Sequence, residues 1–226
     1  MYNVLVIAPH PDDAELGLGG TIAQHVQNGD NVTVALLATQ NWRNLPYEPD
    51  DQKQTPIALE NAKTAQQVLG YQKLIMCNLD DQTLDGLVID ILDHLEPVYE
   101  DCKPDILYVT HYGDNNQDHR AAFEAAQVLA RPMRDNPVKR FVCYETPSST
   151  DQSPQVQHLV FTPNRYTILS NDLMEIKKKA FAAYASELRD EPHPRSEYGL
   201  EIYARFRGMA INTKYAEALH VLRDFL

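Results

Sequence analysis

The sequence predicts an α/β fold: a Rossmann-like, mostly parallel sheet with helices on both faces, plus a C-terminal extension of strands and helices. Two observations carry this prediction. Short apolar, β-branched runs alternate with longer helical segments up to about Tyr144, and such alternation implies parallel strands joined by right-handed crossovers. The first apolar run, Val4–Ala8, leads into a glycine-rich helix start at Gly17, Gly19 and Gly20, which is typical of a buried strand followed by a helix.

Each element of the first part follows from a local signal. Buried strands are expected where β-branched or large apolar residues occur together, at residues 2–8, 32–38, 73–77, 105–110 and 140–144. The intervening helices are expected at about 14–28, 54–69, 83–101 and 119–131. Asn28-Gly29-Asp30, Gly70 and Pro132 mark helix ends, and Pro97 should bend or interrupt the third helix.

After about residue 150 the pattern changes. Residues 156–161 and 165–169 predict short strands that extend or cap the sheet. A helix capped by Asn171 should run to about Tyr184, and another should cover 196–209 with Ser196 as its cap, before a final segment to Leu226. No repeat, low-complexity tract or flexible linker divides the chain, so residues 1–226 are expected to form a single domain.

The composition argues against several classes of function. The 226 residues carry a formal net charge of −12 at pH 7, whereas binding to nucleic acid or anionic lipid needs a basic surface. No apolar run approaches the roughly 20 residues of a membrane span, so no membrane insertion is expected. The N-terminus shows no leader pattern, and Cys77, Cys102 and Cys143 form no CxxC pair. We therefore expect a cytoplasmic protein with reduced, structural cysteines.

Two polar clusters follow the first and fourth predicted strands. The first, His10–Glu15, holds one imidazole and three carboxylates, and the second runs from His111 to Arg120. Both lie at the carboxyl ends of parallel strands, the edge of a sheet where ligands collect, so the clusters can face each other. The simpler interpretation of the first cluster is a polar turn with Asp13 as N-cap. That interpretation leaves the other polar side chains of the cluster without a role.

The residue types in the two clusters are those of a catalytic zinc site, which takes two imidazoles and one carboxylate and leaves a position for water. We predict His10, Asp13 and His119 as metal ligands, on separate loops that leave an open face. Asp118 or Glu15 could accept the second N–H of His119 and fix its tautomer. Taken alone, His119 could also be a solvated residue at a helix start. Zn²⁺ is the expected ion, although such a ligand set also accepts Fe²⁺ or Co²⁺.

Asp12 stands next to a predicted ligand and should point into the pocket. There it could act as general base on metal-bound water, whose pKa falls towards about 7. The resulting hydroxide would attack an electrophilic carbon, which describes the hydrolysis of an amide or ester.

These motifs resemble those of the PIG-L/LmbE-like metal-dependent deacetylases. Ala8–Glu15 and Asn116–Arg120 carry the resemblance, which extends through Tyr184–Glu187, His193–Ser196, Arg205–Gly208 and Tyr215–Ala218. The resemblance implies removal of the N-acetyl group from a compound that contains N-acetylglucosamine. It also implies zinc on the three predicted ligands, Asp12 as the general base, and a homo-oligomer, either a trimer or a hexamer.

Position 116 departs from the family pattern. Many members have a histidine three residues before the last ligand, where this chain has Asn116, and that histidine is thought to help the oxyanion or the leaving amine. Asparagine can donate a hydrogen bond but cannot shuttle a proton at neutral pH. The general acid is therefore either Asp12, protonated after the attack, or His111 or His193.

Candidate substrate contacts lie on three loops. Arg195 and His193 precede a C-terminal helix, and Arg195 could donate to sugar hydroxyls or a phosphate unless the loop is simply solvated. Tyr144 and Glu145 follow the fifth strand and are similar candidates. The Trp42–Tyr47 loop could offer an aromatic face to a sugar ring.

Three functions are compatible with these residues. The first is a zinc-dependent N-deacetylase acting on a small-molecule N-acetylated amino sugar or its glycoside. An amidase on a non-sugar N-acyl compound would use the same machinery, and a catalytically silent sugar-binding protein would keep the metal. For assembly, Ile202, Phe206 and Met209 form an apolar stripe at helical spacing, which is either core or an interface between copies.

Overall fold

The computed structural model describes residues 1–40 and 54–226, which form seven strands and six α-helices. The strands are β1 (Asn3–Ala8), β2 (Asn31–Gln40), β3 (Lys73–Asp80), β4 (Ile106–Thr110), β5 (Arg140–Tyr144), β6 (Arg165–Leu169) and β7 (Tyr215–Asp224). The helices are α1 (Asp13–Gln27), α2 (Gln54–Leu69), α3 (Val88–Cys102), α4 (Gln117–Leu129), α5 (Asn171–Phe181) and α6 (Glu197–Met209).

One sheet contains these strands in the order β3-β2-β1-β4-β5-β7-β6. The first five strands of this order pair in parallel, whereas β7 is antiparallel to both β5 and β6. The prediction of a Rossmann-like, mostly parallel sheet with a C-terminal extension is confirmed. The direction of strand addition reverses between β1 and β4, and the crevice at such a switch point is where α/β folds bind ligands.

Helices cover both faces of the sheet because the side chains of each buried strand alternate between two apolar cores. In β1, Val4 and Val6 belong to the core formed with α1, α2, α5 and α6. Leu5 and Ile7 point to the opposite face and join the core formed with α3 and α4. A strand that is apolar at every position is the sequence signature of this two-sided burial.

The prediction of a strand at residues 156–161 is wrong. Local hydrogen bonds occupy this segment, where the N–H groups of Leu159 and Val160 donate to the carbonyl of Val156. Pro154 and Pro163 flank it, and proline cannot donate to a sheet ladder. The apolar run is therefore folded as turns. The strand beside β5 is β7 instead, whose strand character the pattern did not predict.

Helix boundaries differ from the prediction in two places. Ser170, rather than Asn171, caps α5 by accepting the N–H of Leu173. Helix α3 begins only after a short 3-10 turn, and it continues through Pro97 without interruption. Ser196 caps α6 as predicted. Among the helices of the described residues, none is long and apolar enough to cross a membrane.

A buried carboxylate ties the C-terminal extension to the first helix. Glu217 of β7 accepts the backbone N–H groups of Gly20 at 2.9 Å and Thr21 at 2.7 Å, and the Thr21 hydroxyl at 2.6 Å. Lys177 of α5 lies 2.5 Å from the same carboxylate. These contacts join α1, α5 and β7, so the extension is fixed against the helix that follows the first polar cluster.

Candidate metal centre

A strained turn presents the first polar cluster. Strand β1 ends at Ala8 and α1 begins at Asp13, and between them Asp12 takes φ 96° and ψ −26°. This left-handed conformation costs a non-glycine residue about 1–3 kcal/mol. The two neighbouring aspartates point apart, Asp13 towards His10 and Asp12 towards Arg195. Asp13 therefore lies inside the helix rather than at its N-cap, and the interpretation of the cluster as a simple capped turn is wrong.

The three predicted metal ligands lie together. Nδ1 of His10 is 3.2 Å from Oδ2 of Asp13 and 3.3 Å from Nε2 of His119, and the last two atoms are 3.2 Å apart. A tetrahedral zinc ion with bonds of about 2.0–2.1 Å separates its ligand atoms by about 3.3 Å. The three side chains are buried and form a group that could hold one metal ion. The observed triangle therefore has the size that such an ion requires.

The charges around this triangle favour a cation at its centre. Burial alone would raise the pKa of Asp13, but the imidazoles of His119 and His10 hold it well below its usual range. Burial alone would lower the pKa of His119, but Asp13 and Asp114 outweigh it and raise the value to about 9. Carboxylates thus surround the imidazoles closely enough to stabilise positive charge, which is the electrostatic requirement of a divalent metal site.

Two further carboxylates face the other ring nitrogen of His10. Nε2 of His10 lies 3.1 Å from Oδ2 of Asp118 and 3.1 Å from Oδ1 of Asp81. Asp118 is itself held by the backbone N–H groups of Gln82 at 2.7 Å and Leu84 at 3.0 Å. A proton on Nε2 places the lone pair of the ring on Nδ1, the nitrogen that we assign to the metal, as in carboxylate–histidine–metal arrangements.

The same geometry gives a second grouping that could hold an ion, formed by His10, Asp81 and Asp118. Both oxygens of Asp118 already accept backbone N–H groups. The oxygen that faces His10 is one of them, so its hydrogen-bonding capacity is largely taken. We therefore favour the grouping with Asp13 and His119 as the metal centre.

The partner of His119 differs from the prediction. Its Nδ1 faces Oδ1 of Asp114 at 3.3 Å, outside hydrogen-bond geometry. The carboxylate of Asp114 is fixed by the hydroxyls of Ser149 and Thr150, each at 2.5 Å. The expectation that Asp118 or Glu15 would face this nitrogen is wrong, because Asp118 is turned towards the other histidine. Asp114 was missed as a partner, although its place five residues before His119 in the same loop was a usable signal.

Asp12 is buried beside the metal triangle and bound by a cation. Its Oδ2 accepts Nη1 of Arg195 at 2.9 Å, and the same Nη1 lies 3.0 Å from Glu187. Nε of Arg195 donates to Ser148 at 2.8 Å. Burial raises the pKa of Asp12 well above its usual range, with Arg195 opposing and Asp13 adding to the shift. Glu187 and Ser148 were missed by the sequence reasoning, since nothing in their spacing shows that Arg195 would reach back to Asp12.

A polar pocket of about 280 Å³ opens over the triangle. It is lined by His10, Asp12, Asp81, Gln82, Asn116, Gln117, His119, Ser149 and Arg195. Asn116 caps α4, with Oδ1 accepting the N–H of Asp118 at 2.8 Å. The amides of Gln82 and Gln117 and the hydroxyl of Ser149 add uncharged donors and acceptors. Arg195 and Asn116 therefore lie in the pocket, as the sequence predicted.

Besides the buried Asp13 of the triangle, four predicted site residues do not line this pocket. His111 is buried, with Nε2 3.0 Å from the carbonyl of Leu159. His193 accepts the backbone N–H of Arg195 at 3.0 Å and so shapes the loop. Tyr144 is fully buried, and its hydroxyl donates to the carbonyl of Ile7 in β1.

The fourth of these residues is Glu145. Its carboxylate accepts hydrogen bonds from Nε and Nη2 of Arg207. It lines another, larger pocket of about 380 Å³ between α6 and the segment that follows β5. The Trp42–Tyr47 loop, also expected near the site, lies outside the described residues.

Comparisons with known proteins find relatives that are named deacetylases. The chain is similar to an uncharacterized deacetylase, YaiS, of Escherichia coli K12, with 26% identity over 189 residues that cover 81% of this chain and 91% of that protein. It is 26% identical over 227 residues to the diacetylchitobiose deacetylase of Thermococcus kodakarensis, covering 96% of this chain and 82% of the relative.

A solved structure extends the agreement to the fold. The A40926 pseudoaglycone deacetylase superposes with a TM-score of 0.79 at 20% identity, over 100% of this chain and 99% of that one. Residues 5–130 match the family model described as PIG-L, GlcNAc-PI de-N-acetylase. That match includes both polar clusters and more than half of the chain, so the chain belongs to the PIG-L family of deacetylases, as its motifs predicted.

Proposed function

We propose that this chain is a divalent-metal-dependent N-deacetylase that hydrolyses the N-acetyl amide of an N-acetylated amino sugar or its glycoside. One observation carries the proposal: His10, Asp13 and His119 form a triangle of metal-ligand dimensions, with the buried carboxylate of Asp12 beside it. The names of the relatives support the substrate class, since one acts on diacetylchitobiose. We also propose that residues 1–226 act as one domain, because β7 and Arg195 of the extension contact the first part of the chain.

The residues that would hold the ion are His10 through Nδ1, His119 through Nε2 and Asp13 through Oδ2. A divalent ion supplies a Lewis acid there, which polarises an amide carbonyl and acidifies a water molecule. Zn²⁺ is the expected ion, and Fe²⁺ and Co²⁺ suit the same donors.

Asp12 performs the proton transfers in this proposal. Arg195 binds Oδ2, so Oδ1 is the oxygen that we assign to the attacking water. The carboxylate takes a proton as the water adds to the carbonyl carbon. It then returns that proton to the nitrogen as the carbon–nitrogen bond breaks, which yields acetate and a free amine. A raised pKa of Asp12 favours the second half of this cycle, because it makes the protonated carboxyl accessible after the attack.

Asn116 stands where many family members have a histidine, and its amide cannot transfer a proton as an imidazole can. Its Oδ1 is occupied by the N–H of Asp118, so the amide N–H₂ is the part available to the pocket. That group can donate a hydrogen bond to a developing oxyanion but cannot transfer a proton. His111 and His193 do not line the pocket, and we therefore assign the general-acid step to Asp12.

Acetate release tests the proposal directly. The zinc-loaded protein is incubated with N-acetylglucosamine and with N,N′-diacetylchitobiose, and acetate is measured beside a sample of Asp12→Asn that retains the metal. We expect acetate from at least one sugar with the unaltered protein and a rate at least a hundredfold lower with the variant. Release from N-acetyl amino acids but not from sugars would establish the non-sugar amidase instead. Metal binding with no release from either class would leave a silent sugar-binding protein.

A further inference from the structure

Three consecutive hydroxyl residues, Ser148, Ser149 and Thr150, follow β5 and have no part in the proposed chemistry. Strands β1, β4 and β5 are parallel neighbours, so the connections after them meet at one edge of the sheet. The connections after β1 and β4 lead to the proposed metal ligands. The turn after β5, residues 146–151, lies beside the same site, and we call it the β5 turn.

The fold of the β5 turn fixes the three hydroxyl groups. The carbonyl of Thr146 accepts the N–H groups of Ser149 at 3.0 Å and Thr150 at 2.9 Å. In return, the N–H of Thr146 donates to the Thr150 hydroxyl at 2.8 Å. Ser148 takes the left-handed φ of 73°, and its N–H donates to Asp151 at 2.7 Å. A non-glycine residue in this region is strained, and such residues are concentrated at functional sites.

One hydroxyl of the β5 turn holds the cation beside the proposed general base. Nε of Arg195 donates to Oγ of Ser148 at 2.8 Å, and Nη1 of the same guanidinium lies 2.9 Å from Oδ2 of Asp12. The contacts of the guanidinium with Asp12 and Glu187 both use Nη1. Because the guanidinium is planar and rigid, the contact at Nε supplies the second point that fixes the direction of Nη1.

The other two hydroxyls hold the carboxylate that faces His119. Oγ of Ser149 donates to Oδ1 of Asp114, and Oγ1 of Thr150 donates to Oδ2, each at 2.5 Å. Oδ1 also accepts the N–H of Asn116 at 2.9 Å and lies 3.3 Å from Nδ1 of His119. A carboxylate that faces a metal-binding imidazole sets the orientation of the ring, so the groups that fix this carboxylate influence metal binding.

We infer that the β5 turn positions the proposed general base and one proposed metal ligand through different hydroxyl groups. Ser148 acts on proton transfer, because it holds Arg195 against the general base. Its two neighbours, Ser149 and Thr150, act on metal affinity, because they hold the carboxylate that faces the ligand of α4. All three are positioning residues, since each acts through another side chain. The inference rests on the proposed function, because it assigns residues to the proton-transfer and metal-binding steps of that reaction.

The effect on the metal is tested by the affinity for Zn²⁺, measured in competition with a chelator and without turnover. We expect Ser149→Ala and Thr150→Val to raise the Kd for Zn²⁺ by about tenfold, as residues that support a metal ligand do. Thr150→Ser keeps the hydroxyl and should restore the affinity, and Ser148→Ala should leave the Kd unchanged. Ser153→Ala is the matched control, since the Ser153 hydroxyl is buried in the next turn and has no hydrogen-bond partner among the described residues.

The effect on proton transfer is tested by a double-mutant cycle, with acetate release by the zinc-loaded protein as the readout. Ser148→Ala should lower kcat by about three- to tenfold, the effect of one lost hydrogen bond, and leave KM unchanged. The same substitution in the Arg195→Ala background should lower kcat no further, because the guanidinium that Ser148 holds is gone. A merely structural role would lower kcat in both backgrounds.

The contrary outcomes are distinguishable. An unchanged Kd for Zn²⁺ in Thr150→Val, or an equal rise in Ser153→Ala, overturns the inference while acetate release stays intact. A fall of kcat in Ser148→Ala that persists in the Arg195→Ala background overturns it as well. A parallel loss of metal affinity, kcat and Tm in every variant would show that the β5 turn only maintains the fold. Failure of the unaltered protein to release acetate from any sugar rejects the proposed function, and with it the effect on proton transfer.

Discussion

Two adjacent aspartates with identical side chains have different surroundings because of one backbone torsion. The left-handed conformation of Asp12 turns its carboxylate to Arg195, while the next residue, Asp13, directs its own to the two imidazoles. Strain of this kind persists where surrounding contacts over-determine it, and it is concentrated at functional sites. Within a single turn, the structure therefore separates the carboxylate that we propose as a metal ligand from the one that we propose as the general base.

This separation predicts opposite phenotypes for matched substitutions. Asp12→Asn should retain about one equivalent of metal and lose about 10²- to 10⁴-fold in kcat, because general-base assistance is lost while the ligands stay. Asp13→Asn should lose both metal and activity. Metal content by elemental analysis and acetate-release kinetics on the same preparations check both statements. Loss of metal by Asp12→Asn, with retention by Asp13→Asn, would reverse the assignment.

Arg195 should act largely through Asp12 rather than through substrate alone. Arg195→Ala removes the cation that holds Oδ2 at 2.9 Å, and residues in one buried network couple by about 0.5–3 kcal/mol. We expect a loss of kcat of about 10- to 100-fold in the unaltered background and less than about twofold in the Asp12→Asn background. Arg205→Ala, an exposed arginine paired with Glu201, serves as control. If the double variant instead loses kcat by the product of the two single-variant losses, Arg195 acts independently of Asp12 and contacts the substrate itself.

The grouping of the three proposed metal ligands could be predicted from sequence because the topology of the sheet brings them together. His10 and His119 each follow a parallel strand, and the ends of neighbouring parallel strands share one edge. Arg195 could be named as a candidate but its partner could not, since the loop that carries it is far along the chain. Tyr144 was misplaced because alternation along β5 sends its side chain into the core instead of the pocket.

At the scale of elements, close approach explains the glycine-rich start of α1. A Cβ at position 17 would lie 2.6 Å from the carbonyl oxygen of Glu145 and 2.3 Å from a ring carbon of Tyr144. Helix α1 can therefore pack against the end of β5 only if this position lacks a side chain. The strands of the parallel part could be predicted since each is a continuous apolar run. The turns at 156–161 could not be predicted. The segment contains apolar and β-branched residues between two prolines, and the sequence does not show that β7 occupies the place beside β5.

The two charged residues of the contact that joins α1, α5 and β7, Glu217 and Lys177, should contribute unequally to the free energy of unfolding. Glu217→Gln leaves the ammonium of Lys177 buried without its counter-charge, and breaking a buried pair this way costs about 3–5 kcal/mol. Lys177→Met leaves Glu217 with the donors of Gly20 and Thr21, so the loss of unfolding free energy should be smaller. Urea denaturation of both variants measures the difference. Equal losses of unfolding free energy, or a larger loss for Lys177→Met, would contradict this description of the Glu217–Lys177 contact.

At the scale of the whole molecule, the candidate metal centre draws its residues from both sides of the switch point. Of the three proposed ligands, His10 lies in the β1–α1 connection, Asp13 is the first residue of α1, and His119 lies in α4, after β4. An ion that binds the folded chain alone stabilises it by about 2.7 kcal/mol at a hundred times its Kd. Chelation should therefore lower the Tm by several degrees, and Zn²⁺ should restore it at one equivalent per chain. In His119→Ala, Zn²⁺ should leave the Tm unchanged; a retained shift would place the ion elsewhere.

The assembly of the protein stays a prediction. Ile202, Phe206 and Met209 are 44%, 55% and 70% exposed, so the interpretation of this stripe as core is wrong for the described chain. A trimer or hexamer would appear in light scattering as a multiple of the 25.7 kDa chain mass. A mass of one chain at working concentration would refute it.

The insertion of β7 between β5 and β6 makes the order of assembly differ from the order of synthesis. Strand β6 is made first, yet its partner in the sheet is β7, which must itself pair with β5. A nascent chain that has emerged as far as α4 already holds every proposed metal ligand, whereas Arg195 lies on the connection between β6 and β7. The binding of an ion can therefore precede the contact of Arg195 with Asp12, because that contact needs a part of the chain that is synthesised after β6.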